Sequence, residues 1–274
     1  MTNPAIRVDS LVFAWPGRAP LFEGLSFDIG RGEALAVIGA SGSGKSSLLA
    51  LLAGLERPVA GRILVDGELL ERPRPRSGLI LQDHGLLPWA TIRDNVSLGP
   101  RLRRFYGPDG RHAPRTATPR PGGRGEESGA GIGVTSDEAT NADDRAVDSW
   151  LERLGIASVA EAWPAHVSGG QRQRAAIARS LALEPDLLLM DEAFASLDEA
   201  TREDLRDLTL AIRVERGMTL VLVTHSIDEA LIVGDRILLL EGPARHRIYD
   251  NPKGDAAARS ALKAGLRVAL GASS

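Results

Sequence analysis

The chain has 274 residues, 43% of them hydrophobic and 25% charged, with a formal net charge of −3. That is enough to bury one compact α/β domain with an added lobe, and the near-neutral balance gives no electrostatic case for nucleic acid as the main partner. It contains no cysteine, which excludes disulfides, thiolate metal sites and thiol nucleophiles and agrees with a reducing compartment.

In chain order, short strands are expected at 6–8, 11–13, 25–29 and 34–38. The last is a continuous apolar run, Ala34-Leu35-Ala36-Val37-Ile38, as a strand covered on both faces requires. A glycine-rich stretch at 39–44 follows, then a buried helix at 47–55 that closes near Gly54. Further strands are expected at 63–65, ahead of the turn residues Asp66-Gly67, and at 78–81. From about 83 to 167 the pattern changes to helices and loops, with Ala146, Val147, Trp150, Leu151 and Leu154 at helical spacing over 144–154, ending at Gly155. Within it, 12 of the 28 residues at 107–134 are Gly or Pro. Such a segment buries too little apolar surface to offset its ordering entropy, so it reads as a disordered insertion.

The α/β alternation then returns: a helix at 168–183 with a glycine-rich entry, a strand at 187–190 ending in Asp191-Glu192, and an amphipathic helix at 199–215 stopped by Gly217. Strands at 220–223, ending at Thr224-His225, and at 237–240 complete it. Alternating strands and helices imply a mostly parallel sheet with helices on both faces. No run of about 18 apolar residues occurs, and the start Met1-Thr2-Asn3-Pro4 lacks the basic-then-apolar pattern of a secretory signal. If solute crosses a membrane here, another chain is expected to supply the path.

Gly39-Ala40-Ser41-Gly42-Ser43-Gly44-Lys45-Ser46 fits the phosphate-loop pattern G-x-x-x-x-G-K-[ST]. The glycines let backbone N–H groups converge on phosphate oxygens, and the following helix, entered through Ser46 and Ser47, points its positive end at the same anion. Lys45 adds a full charge near the β- and γ-phosphates, and the Ser46 hydroxyl suits Mg²⁺. Asp191 and Glu192 sit at the C-terminal end of a buried strand, where such sheets place their ligands. Asp191 is the expected Mg²⁺ partner and Glu192 the expected general base for water. These two motifs alone say only P-loop NTPase, a class for which a RecA-like core is expected. A third, Ser168-Gly169-Gly170-Gln171-Arg172-Gln173-Arg174, opens a helix 23 positions before Asp191. There a serine cap and bare glycine N–H groups make a second anion site.

With that third motif the sequence resembles the ABC ATPases, over about residues 6 to 240. The resemblance implies one ABC ATPase domain over 1–272: a nucleotide-binding core from 1–82 and 168–250, an antiparallel β part near the N-terminus, and an inserted helical lobe at 83–167. It implies ATP and Mg²⁺ as cofactors, and two copies paired head-to-tail so that Ser168, Gly169, Gly170 and Gln171 of one close on the Lys45 loop of the other. By the same resemblance Trp15 stacks on adenine, with Phe13 as the rival, and Gln82 reaches Mg²⁺ and the water. Asp198 communicates across the pair, and His225 contacts the γ-phosphate. Ala193 departs from the family, which usually has proline after the Asp-Glu pair, and the insertion at 107–134 is a second departure.

Gln82-Asp83-His84-Gly85-Leu86-Leu87-Pro88-Trp89, with Thr224-His225-Ser226-Ile227-Asp228-Glu229-Ala230, is similar to the nitrate/sulfonate/taurine group of importer ATPases. That implies a peripheral subunit on the cytoplasmic face of the inner membrane. Its partners would be a multi-spanning permease and, indirectly, a solute-binding protein, with no nucleic acid expected. Leu86, Leu87 and Trp89 either line the groove that receives the permease or belong to the lobe core. An exporter ATPase, a soluble ABC ATPase acting on DNA or ribosomes, a P-loop kinase and a non-hydrolysing ATP-binding module are the competing readings.

Overall fold

A computed structural model describes residues 3–106, 136–195 and 197–271; the insertion expected at 107–134 lies outside them. The first part of the chain forms β1 (Ile6–Phe13), β2 (Phe22–Ile29), β3 (Ala34–Gly39), α1 (Lys45–Leu52), β4 (Ala60–Val65), β5 (Glu68–Leu69) and β6 (Ser77–Ile80). Helices α2 (Ile92–Tyr106), α3 (Ser136–Arg153) and α4 (Gly169–Leu181) come next, with short 3-10 turns at Ala157–Val159 and Pro164–His166. The chain then runs through β7 (Leu187–Asp191), α5 (Glu199–Arg216), β8 (Thr219–Val223), α6 (Ile227–Val233), β9 (Arg236–Gly242), β10 (Arg245–Asp250) and α7 (Ala256–Gly271).

Two sheets result. The smaller, in order β2-β1-β4-β5, is antiparallel, and the larger runs β10-β9-β3-β8-β7-β6. In the larger sheet β9, β3, β8, β7 and β6 are parallel and β10 joins the edge antiparallel. Side-chain alternation shows why β3 reads as unbroken apolar sequence. Leu35 and Val37 pack with α1 and the small sheet, while Ala36 and Ile38 pack under α6 and α7. On the opposite side from α1, Leu188 and Met190 of β7 and Leu220 and Leu222 of β8 meet Ala175, Ala176 and Ile177 of α4. Removing one of these buried leucines to alanine would cost about 2–5 kcal/mol. The Arg153 and Arg216 guanidinium groups lie over the Trp150 ring of α3, 5.4 and 5.5 Å from its centre, which ties the inserted helices to the end of α5.

The structure departs from the expected elements at several points. Strands expected separately at 6–8 and 11–13 are one strand, β1, interrupted by a bulge. Ser10 at φ 51 absorbs the register shift, and its backbone lies so close to Gly61 that a Cβ there would fall 2.3 Å from the Ser10 carbonyl oxygen. The first helix begins at Lys45 rather than 47, so the phosphate-loop lysine is its first residue. Besides β5 and α6, strand β10 and helix α7 were not anticipated. The strand is a half-exposed edge, and Leu266 is the one residue of the helix that is fully buried.

Register brings the chemistry to one edge. Val223 pairs with Val37 on one side and Asp191 on the other, and Ile80 pairs with Met190. The loops after β3, β7, β8 and β6, carrying Lys45, Glu192, His225 and Gln82, therefore leave the sheet at nearly the same level.

Candidate functional site

The loop between β3 and α1 is shaped by its glycines. A Cβ on Gly39 would fall 2.5 Å from Ser43 Oγ and 2.7 Å from the Leu240 carbonyl oxygen. Gly44, at φ 95, is the N-cap of α1, and a Cβ there would meet Phe22 at 2.9 Å. The first turn of α1 has neither a side-chain cap nor an acidic residue, so its N–H groups and positive end are left for an outside anion. Lys45 is buried, and its Nζ donates to the carbonyls of Gly39 (2.9 Å) and Ala40 (3.0 Å), which holds the ammonium inside the curl.

This loop forms one wall of a cavity of about 320 Å³. Ser41, Gly42, Gly44, Lys45, Ser46 and Ser47 line it, together with Glu192 and Trp15. Sequence reasoning missed three further wall residues, Arg18, Ala19 and Leu21. Their one available signal was the Pro16-Gly17 turn, which folds the chain back so that the Leu21 N–H reaches the Phe13 carbonyl at 2.8 Å. The two aromatic candidates differ in burial. Phe13 is 3% exposed in the core between the sheets, whereas Trp15 presents its ring to the cavity, edge-on to Phe13 at 5.2 Å. Trp15 Nε1 donates to Ser47 Oγ at 3.1 Å, fixing the ring relative to the loop.

Asp191 ends β7 beside the loop. Burial, aided by the neighbouring Glu192 charge, pushes its carboxyl above the usual carboxylate range, while the Ser46 hydroxyl and the Lys45 ammonium work the other way. The Ser46 hydroxyl and Asp191 carboxyl are thus adjacent hard oxygen donors whose ionised form gains from an added cation. Among the described residues no cluster of three or more His, Cys, Asp or Glu could hold a metal ion alone, so a cation here needs phosphate or water ligands as well. Glu192 is the next residue, at φ 47 in the left-handed region, with its N–H donating to the Val223 carbonyl at 2.9 Å. That backbone costs about 1–3 kcal/mol for a non-glycine residue. It turns the carboxylate to the cavity wall, where Oε2 lies 3.5 Å from His225 Nδ1.

The remaining expected residues stand elsewhere. Ser168 caps α4 reciprocally: its Oγ accepts from the Gln171 N–H (3.2 Å), and Gln171 Oε1 accepts from the Ser168 N–H (2.9 Å). Gly169 and Gly170 open the same helix, and a Cβ on Gly170 would fall 3.0 Å from Thr201 Cγ2, so the tip of α4 packs on the start of α5. Asp198 caps α5 by accepting from the Thr201 N–H at 3.0 Å, and these contacts hold its carboxyl below the usual range. None of Ser168, Gly169, Gly170, Gln171 and Asp198 lines the Lys45 cavity. Gln82 is exposed just beyond β6. Of the three residues with two open readings, Leu86 packs against the core, Leu87 is half-buried and Trp89 is 70% exposed. Buried Asn95 sets this loop. Its Oδ1 accepts from the Leu87 N–H at 2.7 Å, and its Nδ2 reaches the carbonyls of Leu87, Ala90 and Thr91. No helix among the described residues is long and apolar enough to cross a membrane.

The sequence pattern of the ABC transporter family matches residues 22–195. The taurine import ATP-binding protein TauB of Pseudomonas aeruginosa is 39% identical over 244 residues, covering 89% of this chain and 80% of that protein. The aliphatic sulfonates import ATP-binding protein SsuB 2 of Burkholderia cenocepacia is 37% identical over 241 residues, 88% and 75% respectively. The nitrate import ATP-binding protein NrtC of Synechococcus elongatus is 35% identical over 85% of this chain and 31% of its own length. Among solved structures, cbiO1 of Clostridium perfringens, part of the ABC transporter complex cbiONQ, superposes with a TM-score of 0.71 at 26% identity over 97% of this chain and 96% of its own. The ATP-binding cassette MJ0796, in a dimeric post-hydrolysis state with ADP and Pi, gives 0.69 at 25% identity over 89% and 98%.

Proposed function

The chain belongs to the ABC transporter family, and from that premise we propose that it is the motor subunit of an importer for a small taurine-, sulfonate- or nitrate-like solute. It is an ATPase. The observation that carries the reading is the cavity in which the Lys45 loop faces Glu192, with His225 3.5 Å from that carboxylate. Relatives named for taurine, sulfonate and nitrate import, matched over 85–89% of the chain, supply the solute class and the direction of transport.

In this reading the adenine stacks on Trp15, and the N–H groups of the 39–44 loop and the Lys45 ammonium hold the phosphates. Ser46 and Asp191, with the Gln82 amide, would hold Mg²⁺, which when bound supplies positive charge against the phosphate oxygens. Glu192 accepts a proton from the attacking water and His225 contacts the γ-phosphate. Because the Ser168 tip does not line its own Lys45 cavity, a second copy supplies it, as the dimeric state of MJ0796 suggests. ATP then bridges two copies. Loss of the γ-phosphate removes contacts to Ser168, Gly170 and His225, and the pair opens. The membrane subunits, reached through the 83–167 lobe at the cytoplasmic face of the inner membrane, respond to closed versus open, and a solute-binding protein delivers cargo on the far side.

Two experiments address this. In cells carrying Lys45→Ala in place of the native chain, uptake of labelled taurine, an alkanesulfonate and nitrate is measured. Loss of at least one is expected, and unchanged uptake of all three sinks the solute class. For the base contact, Trp15→Ala is expected to raise the KM for ATP about tenfold, since base–aromatic stacking is worth about 1–3 kcal/mol, with kcat nearly unchanged. Trp15→Phe should recover most of the affinity. A wild-type KM in Trp15→Ala removes the stacking assignment.

A further inference from the structure

Helix α4 begins at the Ser168 cap, and its last turn meets the strand and the loop that carry Gln82. Ser180 Oγ donates to the Leu79 carbonyl of β6 at 3.3 Å. Arg179, one residue earlier, reaches past the end of that strand. Its Nη1 donates to the Gly85 carbonyl at 2.6 Å and its Nη2 to the His84 carbonyl at 3.0 Å. The two arms of one planar guanidinium thus hold two successive carbonyls, a geometry that a single-point cation cannot copy.

Those carbonyls belong to the turn that carries Gln82. The His84 N–H donates to the Leu81 carbonyl at 3.0 Å, so Gln82 and Asp83 are the central residues of a four-residue turn. His84 sits at φ 68 and Gly85 at φ 58, and the Gly85 N–H donates to Asp83 Oδ1 at 3.1 Å. A left-handed histidine costs about 1–3 kcal/mol and persists only where its surroundings over-determine it. The Arg179 bonds supply that constraint. A Cβ on Gly85 would fall 3.3 Å from Arg179 Nη2, so the loop approaches the guanidinium as closely as glycine permits.

The end of α4 does not need Arg179 for its own closure. The N–H of its C-cap, Ala182, already reaches the Ala178 carbonyl at 2.9 Å. Burial holds the Arg179 guanidinium below the usual arginine range, against the pull of the Asp83 charge. An apolar side chain would avoid that desolvation, so the reason for a guanidinium here lies in the carbonyls it grips.

We infer that Arg179 is a positioning residue for Gln82: its two hydrogen bonds to the His84 and Gly85 carbonyls fix the turn that presents the glutamine at the end of β6. Arg179 acts through that turn and does not line the Lys45 cavity. One helix then offers Ser168 to a partner's nucleotide and steadies Gln82 for its own. The inference rests on the reading of Gln82 as the residue that reaches Mg²⁺ and the attacking water, and the variants separate the two.

ATP turnover of the full chain is measured over a range of Mg-ATP concentrations, and binding of a non-hydrolysable ATP analogue is measured by calorimetry in Mg²⁺ and in EDTA. Arg179→Lys keeps the charge but loses the fork. It is expected to lower kcat roughly tenfold, as loss of an outer partner that orients a metal ligand does. The gain in analogue affinity that Mg²⁺ brings should shrink several-fold with it. Affinity in EDTA should stay within about twofold of native, because Trp15 and the Lys45 loop are untouched. In a Gln82→Ala background the same substitution should cost less than about twofold, since the residue it steadies is gone. Native kcat in Arg179→Lys, or a loss that multiplies in full with that of Gln82→Ala, overturns the inference. So does an affinity in EDTA that falls as far as kcat, which would mean general damage to the site. Should Arg179→Lys not fold, Gly85→Ala presses on the same contact from the other side, and native kcat there overturns the inference likewise. Gln82→Ala is the control: at native rate and with the native gain from Mg²⁺ it removes the Gln82 reading itself, whereas an impaired Gln82→Ala beside a normal Arg179→Lys removes the Arg179 inference alone.

Discussion

Replacing Glu192 with Gln is expected to lower ATP turnover by roughly 10²- to 10⁴-fold, the range that loss of a positioned general base produces. The amide matches the carboxylate in shape and keeps the Glu192 N–H bond to Val223, so the left-handed turn and the β7–β8 register persist. The Lys45 loop is untouched, so nucleotide affinity should be close to that of the native protein. With ATP bound and uncleaved, the variant should run as a pair on size exclusion in Mg-ATP and as single copies without nucleotide. The alternative account, that Glu192 matters for structure, makes a different prediction. Its φ of 47 costs about 1–3 kcal/mol whatever the non-glycine side chain. Glu192→Gly should therefore melt no lower than the native chain, yet it should lose turnover as fully as Glu192→Gln. A Glu192→Gln protein that hydrolyses ATP at the native rate ends the general-base assignment.

That carboxylate was legible in the sequence because chemistry needing several groups on one tight turn confines them to neighbouring residues. The same holds for the loop ending in Lys45-Ser46 and for the Ser168 cap, whose partner Gln171 is three residues on. Strands β3, β7 and β8 were legible for another reason: buried on both faces, they have no polar side to interrupt the apolar run. What escaped the sequence is what only the fold brings together. Strand β10 is an edge with alternating half-exposed residues, and α7 buries too little to show a strong stripe. Phe13 and Trp15 are both aromatic and two residues apart. Trp15 reaches the cavity because it lies beyond the end of β1, whereas Phe13 is the last residue of that strand, held between the sheets. Leu86 and Trp89 part in the same way around the Asn95 hydrogen bonds, one toward the core and one toward solvent.

Coexpressing two inactive variants is expected to restore hydrolysis, and the amount restored reads out how each site is built. Lys45→Ala removes the ammonium that the Gly39 and Ala40 carbonyls hold in the loop, so a site with this loop loses its phosphate ligand. Ser168→Asp keeps the helix cap, since Asp serves as well as Ser there and the residue is exposed. It sets a carboxylate against the incoming γ-phosphate, and like charges at that range repel. Its melting temperature should match the native chain while its turnover is lost. In a mixed pair one site combines both defects, whereas the other joins the intact Lys45 loop of one copy to the intact Ser168 tip of its partner. Random association makes half the pairs mixed with one sound site in two, so hydrolysis should return to about a quarter of native. A site complete within one chain predicts none, because every chain carries a defect. The same geometry requires turnover per molecule to fall on dilution, as pairs dissociate. Hydrolysis that is absent from the coexpressed pair, with native turnover insensitive to dilution, would mean that Ser168 and Lys45 never serve the same nucleotide.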